Sequence, residues 1–155
     1  MLRLNNQDKF LLKSKIKGIK KTNDKIKLLI LEKLKQDFKN KISLKASLQK
    51  EILNKNILIT LKEPFDVASD IWELAGDQSI DFNYYSKRIL LSGIYLKFLV
   101  KIFNKQEFSE ENVLSDIENE IKNIGKINQI KSKFQKFDFS CNSFFSKTKS
   151  QGRGY

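Results

Sequence analysis

The sequence predicts an all-α protein with a single domain. Apolar side chains recur at spacings of three and four through most of its 155 residues, with lysines between them, which is typical of amphipathic helices. Short polar links separate these stretches, and the chain contains one Pro. The best strand candidate, "NILIT", is too short to outweigh its helical surroundings. A chain of this length buries a real core.

Two helices are predicted in the first third of the chain. "DKIKLLILEKLKQDF" places its apolar residues on one face, and Asn23 or Asp24 is the expected cap. "SLKASLQKEILNKN" repeats the pattern, with Ser43 as its expected cap. Residues 1–23, which precede them, form a basic N-terminal segment.

The middle of the chain predicts two longer helices. Residues 57–75 are helical, with Pro64 either kinking the helix or occupying the first turn of a new one, and Gly76 ends it. After the link "DQSI", with Ser79 or Asp81 as cap, the longest helix covers residues 82–104. Its apolar residues occupy most of the helix circumference, so it is expected to be buried on several sides.

A last amphipathic helix is predicted in "SEENVLSDIENEIKNIGK". Ser109 and the acids after it suit its first turn, and Gly125 suits its end. The tail, residues 126–155, mixes lysines with phenylalanines, a composition found in segments that lie in a membrane interface and also in flexible tails folded onto a domain. The phenylalanines predicted to bind membrane are Phe134, Phe137, Phe139, Phe144 and Phe145.

Composition excludes several kinds of site. The chain has no His, which removes histidine triads and histidine metal sites, and its one Cys, Cys141, cannot form an internal disulfide. The net charge of +12 is concentrated at the two ends: residues 1–63 hold 17 basic against 6 acidic side chains, and residues 64–125 hold 6 against 11. This excess has two interpretations: an AT-rich genome, or anionic partners such as nucleic acid or lipid headgroups. No segment is apolar enough to span a membrane, and the N-terminus does not resemble a secretory signal.

The central stretch "DIWELAGDQSIDFNYYSKRILLSGIYLKFL" stands out from the rest. Asp77 and Asp81, with Asp70 and Glu73 on the helix before them, suit acid–base chemistry or magnesium binding. Two acids that flank a link between helices are more simply explained as caps. "AGDQS" lacks the spacing and the Lys of a phosphate-binding loop. Tyr84 and Tyr85 open the long helix and are the kind of residue that anchors protein interfaces. The helix after them is apolar enough to line a lipid cavity, to form a dimer interface, or simply to be core.

This stretch resembles the signature of the accessory lipid-binding family of ubiquinone (coenzyme Q) biosynthesis. The resemblance is strong over 26 residues, and weaker likeness extends it to about residues 24–125. The matching residues are Asp70, Ile71, Trp72, Ala75, Gly76, Asp77, Ser79, Asp81, Phe82, Asn83, Tyr85, Lys87, Arg88 and Tyr95.

The resemblance implies a helical bundle similar to the ligand-binding domain of TetR-type regulators, forming a homodimer, without catalytic activity and without a cofactor. It implies an isoprenoid lipid or ubiquinone intermediate as ligand, the di-iron demethoxyubiquinone hydroxylase as partner, and a place on a membrane surface. That surface is the bacterial inner membrane, reached from the cytoplasm, or the matrix side of the mitochondrial inner membrane. The hydroxylase is expected at Ile71, Tyr84, Tyr85 and Arg88. The lipid is expected at Ile89, Leu90, Ile94, Phe98, Leu99 and Phe103.

Three departures from the family pattern affect these expectations. The Phe/Lys tail is a less regular amphipathic segment than the C-terminal membrane helix of the family. Tyr84 stands where the family has Trp, which keeps a flat amphipathic ring of smaller area. Only about 23 residues precede the first matched helix, so the helix-turn-helix module of the family is expected to be absent, and nucleic acid is not an expected partner. The alternatives are a degenerate TetR-like nucleic-acid-binding regulator, which would show steeply salt-dependent DNA affinity, and a plain structural dimer module.

Overall fold

The computed structural model describes residues 2–54 and 57–123, and within these ranges every regular element is a helix. The predicted all-α class is confirmed. Contacts divide the chain into two units, residues 1–118 and 119–155, and the interactions described below lie within the first. The helices are α1 (Asn6–Lys15), α2 (Thr22–Lys39), α3 (Lys41–Leu53), α4 (Ile57–Ala75), α5 (Asp81–Phe103) and α6 (residues 110–123).

The predicted helices are present, but two of them start earlier than their expected caps. α2 begins at Thr22, and Asp24 lies in its first turn, where it pairs with Lys27 at 3.0 Å. α3 begins two residues before Ser43, because Asn40 ends α2 and immediately starts α3, which leaves no room for a capping loop. Pro64 lies inside one continuous α4, so it does not begin a new helix. Ser109 lies at the start of α6, as predicted, and its hydroxyl accepts a hydrogen bond from the backbone there.

The centre of the molecule is the pairing of α4 with α5, against which α2 packs. On α4, Val67, Ala68 and Ile71 are fully buried, and on α5 Tyr95 and Phe98 are at most 2% exposed. Full burial of a large apolar side chain such as Val67, Ile71 or Phe98 stabilises the fold by about 1.5–3 kcal/mol. The long helix predicted to be buried on several sides contributes to the core through one side, whereas its apolar residues Ile89 and Val100 are 60% and 59% exposed. α2 contributes the buried residues Leu29, Ile30 and Leu34.

The core contains a charged cluster between α2 and α5. Lys33 and Asp37, one turn apart on α2, form a buried ion pair, and the hydroxyl of Tyr95 donates to the other oxygen of Asp37 at 2.6 Å. Burial raises the pKa of Asp37, although the charge of Lys33 and both hydrogen bonds oppose the shift. Burial, reinforced by Asp37, also raises the pKa of the Tyr95 hydroxyl. All three side chains therefore satisfy one another inside the bundle.

The N-terminal segment is part of the packed structure. α1 has a capping box in which the Asn5 side chain accepts from the backbone of Asp8 at 2.7 Å while the Asp8 carboxylate accepts from the backbone of Asn5 at 3.3 Å. Lys9 pairs at 2.5 Å with Asp70 of α4, whose side chain is 4% exposed. The sequence predicts only a basic segment at residues 1–23. The structured part is tied to α4 by this pair and by the Leu2 N–H, which donates to the Glu63 carboxylate at 3.0 Å. It also buries the side chains of Leu2, Leu4, Leu12 and Ile16.

Candidate functional site

The link between α4 and α5 is built on a glycine. Gly76 has a φ of 87°, a left-handed conformation that costs glycine little. Its N–H donates to the carbonyl of Glu73 and that of Asp77 to the carbonyl of Trp72, both at 3.0 Å. This pair of bonds is the Schellman arrangement that ends many helices. The predicted helix stop is confirmed, and the residue after it, Asp77, is held at the end of α4.

Asp77 is the hub of an ionic network that joins the link to α5. Its carboxylate, 5% exposed, lies 2.7 Å from the Lys87 ammonium and 3.2 Å from the Arg88 guanidinium, and the Ser79 hydroxyl donates to it at 2.5 Å. Burial by itself raises the pKa of this carboxyl. The hydrogen bonds from Lys87, Ser79 and Arg88 outweigh burial and lower the pKa of Asp77 to about 2. Asp77 is therefore ionised at any physiological pH.

Arg88 carries this network to α4 and to Tyr84. Its side chain is 5% exposed, its Nε donates to the Ser69 hydroxyl at 3.1 Å, and its Nη1 donates to the Tyr84 carbonyl at 3.0 Å. The guanidinium also lies on the Tyr84 ring, with its central carbon 3.5 Å from the ring centroid. Stacking of Arg on an aromatic face is favourable, and more so where both groups are desolvated. The buried guanidinium of Arg88 thus packs against the inner face of the Tyr84 ring.

Trp72 fastens the other side of the same link. Its indole N–H donates to the Lys87 carbonyl at 3.1 Å, and the Lys87 ammonium lies 5.0 Å from the centroid of its ring. Lys87 therefore contacts Trp72 on α4 and Asp77 in the link at the same time. The interaction holds the start of α5 against the end of α4.

Above this network lies an exposed cluster of apolar and aromatic side chains, here called the aromatic surface. Its members are Ile80, Phe82, Tyr84, Tyr85 and Ile89. Phe82, Tyr85 and Ile89 follow one another at spacings of three and four on α5 and are 71%, 59% and 60% exposed. The Tyr84 and Tyr85 rings meet nearly edge to face, with centroids 5.1 Å apart. Contiguous apolar side chains in water, mounted on a fixed base, are characteristic of protein interaction sites.

Of the four residues predicted to bind the partner enzyme, two are accessible and two are buried. Tyr85 is exposed and Tyr84 half-buried, so both are accessible. Ile71 is fully buried and Arg88 is 4% exposed, so they lie beneath the surface rather than on it. The signature residues are therefore brought together, with the tyrosines outside and their support inside.

The six residues predicted to bind lipid are divided between core and surface. Ile94, Phe98 and Leu99 are 6%, 2% and 1% exposed and pack in the core, whereas Ile89 is 60% exposed. Leu90 and Phe103 are half-buried. A groove of about 500 Å³ lies elsewhere, and the residues that line it are mostly charged side chains of α2 and its neighbours, not residues of α5.

The acidic residues weighed as a catalytic or magnesium site make structural interactions. Asp77 is held by Lys87 and Arg88, and Asp70 by Lys9. Asp81 is the first residue of α5, with a φ of 56°, and no side-chain cap precedes it. The predicted cap at Ser79 is also wrong, because its hydroxyl donates to Asp77 instead. In the part of the chain that the structure describes, no cluster of three or more His, Cys, Asp or Glu side chains is placed to hold a metal ion.

The predicted membrane-binding phenylalanines Phe134, Phe137, Phe139, Phe144 and Phe145 lie outside the described residues. Among the described helices, none combines the length and the apolar character that crossing a bilayer requires.

Sequence reasoning missed how the signature residues are connected. Ser69 and Trp72 were not recognised as partners of the α5 basic pair. One signal was available: Ser69 and Trp72 are three apart on α4 and Lys87 and Arg88 are adjacent on α5, so a tight link between the helices brings the two pairs together.

The family model of COQ9 matches residues 58–128 of this chain, a range that contains the whole link and the aromatic surface. The ubiquinone biosynthesis protein COQ9 of Rattus norvegicus, a mitochondrial protein, is 46% identical over 44 residues, which cover 28% of this chain and 14% of the rat protein. The human protein of the same name is 43% identical over 44 residues, with the same shares covered. No solved structure matches the chain.

The resemblance of the central stretch to the accessory family of ubiquinone biosynthesis is therefore confirmed, because residues 58–128 match the COQ9 family model. The match to the curated relatives spans about one seventh of their length.

Proposed function

We propose that this chain is a non-catalytic accessory protein of ubiquinone biosynthesis. In this function it binds an isoprenoid quinone intermediate, acts on a membrane surface as a homodimer, and presents the intermediate to the di-iron demethoxyubiquinone hydroxylase. The assignment applies to the helical domain predicted at residues 24–125. The observation that carries it is the coincidence of the COQ9 pattern with an exposed aromatic surface built on a buried ionic network.

The aromatic surface supports the docking of a partner enzyme. Phe82 and Tyr85 are large, have few rotatable bonds, and are mostly exposed, so burying them against a partner gains apolar contact at low entropic cost. Arg88 beneath Tyr84 fixes one ring of the surface before the partner arrives. A surface fixed in advance loses less conformational freedom on binding than a mobile one.

The carboxylates of the signature also support a binding role over a catalytic one. A carboxyl group that acts as acid or base at neutral pH needs a pKa near that pH. The pKa of Asp77 is lowered to about 2 by its basic partners, which is far from that range. Its function in this proposal is to hold Lys87 and Arg88 under the aromatic surface.

Lipid binding along α5 requires part of the bundle to open. Removing a prenyl tail from a bilayer costs about 0.8 kcal/mol per CH₂ unless equivalent apolar contact replaces it. Ile89 is accessible to such a tail, but Ile94 and Phe98 are packed in the core. A prenyl chain therefore reaches the inner positions only when α5 separates from its neighbours. We propose that Ile89 and the half-buried Leu90 and Phe103 make the first contacts, and Ile94, Phe98 and Leu99 the inner ones.

The docking proposal is tested by capturing the purified hydroxylase on the immobilised chain. Tyr85→Ala is the informative variant, because a side chain 59% exposed contributes little to the fold. We expect it to weaken capture at least tenfold, about 1.4 kcal/mol, as interface anchors do. The matched control is Leu53→Ala, which removes a side chain 80% exposed on α3. Equal capture by wild type and Tyr85→Ala contradicts the proposal.

The lipid proposal is tested separately by mass spectrometry of the chain purified from a host that makes ubiquinone. The wild type is expected to copurify with an isoprenoid quinone. Ile89→Asp is expected to copurify with less than one quinone per chain. Lys45→Asp, an exposed change on α3, serves as control. Repeated lipid-free preparations of wild type contradict this part and leave the docking test unaffected.

A further inference from the structure

The orientation of α1 is fixed by what it buries. Leu12 and Ile16 are 3% and 5% exposed. Lys9 is held by Asp70 of α4 at 2.5 Å, and the Asp8 carboxylate accepts from the Gln36 side chain of α2 at 3.0 Å. The face of α1 that carries these residues is thus turned toward the bundle, and the opposite face is presented to solvent.

The solvent-facing side of α1 is apolar at its middle. Phe10 is 74% exposed and Leu11 57%, and on a helical projection they lie to either side of the direction opposite Leu12 and Ile16. Neither side chain takes part in the capping box or in the Lys9–Asp70 and Asp8–Gln36 contacts of α1 with the bundle. Exposing a large aromatic and a Leu next to each other is unfavourable in water unless something covers them.

The surroundings of these two side chains are basic. The first 21 residues hold seven Lys and Arg and a single acid, Asp8, whose carboxylate is turned toward α2. Exposed lysines continue the charge along α1 and past its end. The four exposed lysines that lie beside the apolar pair on α1, or shortly after the end of α1 in the sequence, are Lys13, Lys17, Lys20 and Lys21.

We propose that Phe10, Leu11 and these four lysines form a membrane-binding face, and that its partner is the surface of an anionic lipid bilayer. An apolar pair enters the boundary between headgroups and acyl chains while lysines around it meet the anionic headgroups, which is the composition of helices that lie on membranes. A nucleic acid satisfies the lysines but gives no reason for the exposed Phe and Leu. The inference rests on the proposed function for its expectation of a membrane, and it adds a contact by the first helix to the one predicted for the phenylalanines of residues 126–155.

Binding to vesicles tests the face without any quinone or hydroxylase. The probe is vesicles of phosphatidylcholine and phosphatidylglycerol, with phosphatidylcholine alone for comparison, and the protein is the full chain. Phe10→Ser/Leu11→Ser and Lys13→Gln/Lys17→Gln/Lys20→Gln/Lys21→Gln are each expected to bind the anionic vesicles at least fivefold more weakly than wild type. Ile42→Ser/Leu53→Ser and Lys39→Gln/Lys45→Gln/Lys50→Gln/Lys62→Gln, which change the same numbers of apolar and basic side chains at exposed positions of α2, α3 and α4, are expected to bind as wild type.

A fluorescent probe then locates the contact. An environment-sensitive dye on Leu11→Cys, in a Cys141→Ser background, is expected to shift to the blue on anionic vesicles, and the same dye on Leu53→Cys is expected to stay unchanged. Unchanged vesicle binding by both α1 variants, an unshifted dye at position 11, or binding of duplex DNA without binding of anionic vesicles overturns the proposal. Because these assays contain neither quinone nor hydroxylase, their failure is distinct from a failure of lipid extraction or hydroxylase capture.

Discussion

The guanidinium of Arg88 lies between a buried carboxylate and an aromatic ring: its Nη1 is 3.2 Å from an oxygen of Asp77, and its central carbon is 3.5 Å from the centroid of Tyr84. The Arg88 guanidinium thereby joins Asp77, in the link after α4, to Tyr84, in the first turn of α5. Asp77 and Arg88 are each 5% exposed at the side chain, so the pair is screened little by water. The accessibility of Tyr84 and the stability of the link are consequently coupled.

We expect Arg88→Met to destabilise the fold by about 3 kcal/mol, because removing one partner of a buried pair leaves the other charge poorly compensated. Lys87 remains near Asp77 and limits the loss. The measurement is unfolding in urea, followed by circular dichroism. Lys101→Met is the control: it breaks an ion pair with Asp116 in which both side chains are about 40% exposed, and its effect is expected to stay below about 1 kcal/mol. Equal losses in the two variants contradict a structural role for Arg88.

A second prediction concerns acid stability. The pKa of Asp77 is about 2 in the fold against 3.8 for the free side chain, so the unfolded chain binds the proton more readily. The contribution of this carboxylate is complete above about pH 4 and is lost as the pH falls toward 2, with a total of about 2 kcal/mol. The free energy of unfolding of wild type minus that of Asp77→Asn, measured at several pH values, isolates this contribution from the other acids. A difference that stays constant between pH 4 and pH 2 is the contrary outcome.

Tyr95 provides a third prediction, in the polar part of the core. Tyr95→Phe keeps the ring and removes the hydroxyl that donates to Asp37 at 2.6 Å, and we expect a loss of about 2 kcal/mol, as for other hydrogen bonds to charged groups. The pKa of Asp37, already raised by burial, rises further because one opposing hydrogen bond is gone. A folded pKa above the unfolded one means that stability is fully present at low pH and falls as the pH rises through the folded pKa.

The fall in stability with rising pH is therefore expected to be larger in Tyr95→Phe than in wild type, and a carbon NMR titration of the Asp37 carboxyl reports the shift directly. Tyr85→Phe is the matched control, because that hydroxyl belongs to a side chain 59% exposed, and its stability is expected to change by less than about 0.5 kcal/mol. An unshifted titration of Asp37 in Tyr95→Phe contradicts the assignment.

The sequence predicts the parts of this fold that local spacing determines. The helical character of α2, α4 and α5 follows from apolar residues at spacings of three and four, and the end of α4 follows from Gly76, whose backbone freedom is a local property. The contact between Asp37 and Tyr95 joins residues 58 positions apart, and periodicity carries no information about it.

The same limit applies to the candidate site. The signature indicated that the tyrosines and Arg88 act together, but the division between an exposed ring and a buried guanidinium depends on how α5 is rotated against α4. The capping box at Asn5 and Asp8 was a local signal for α1 that the lysine-rich composition obscured. Where α1 packs depends on Asp70, which is 61 residues from Lys9 in the chain.

The last prediction tests whether the N-terminal segment is an integral part of the fold. Lys9 pairs with Asp70, and the remaining basic neighbour of Asp70, Arg3, is 3.8 Å away and 55% exposed. Lys9→Met therefore leaves a carboxylate 4% exposed with a weak partner, and we expect a loss of about 2 kcal/mol. Because Asp70 lies on α4, this loss also lowers the free energy of local opening of α1.

Hydrogen exchange of the α1 amides provides the measurement, since exchange reports local opening separately from global unfolding. Lys13→Met is the control, because Lys13 is exposed on the same helix and the change removes the same charge. Faster exchange in α1 for Lys9→Met, with Lys13→Met unchanged, means that the Lys9–Asp70 pair holds α1 on α4. Equal exchange in the two variants would instead mean that the buried side chains and the Asp8–Gln36 hydrogen bond hold α1 in place, and that the pair contributes no more than a surface ion pair does.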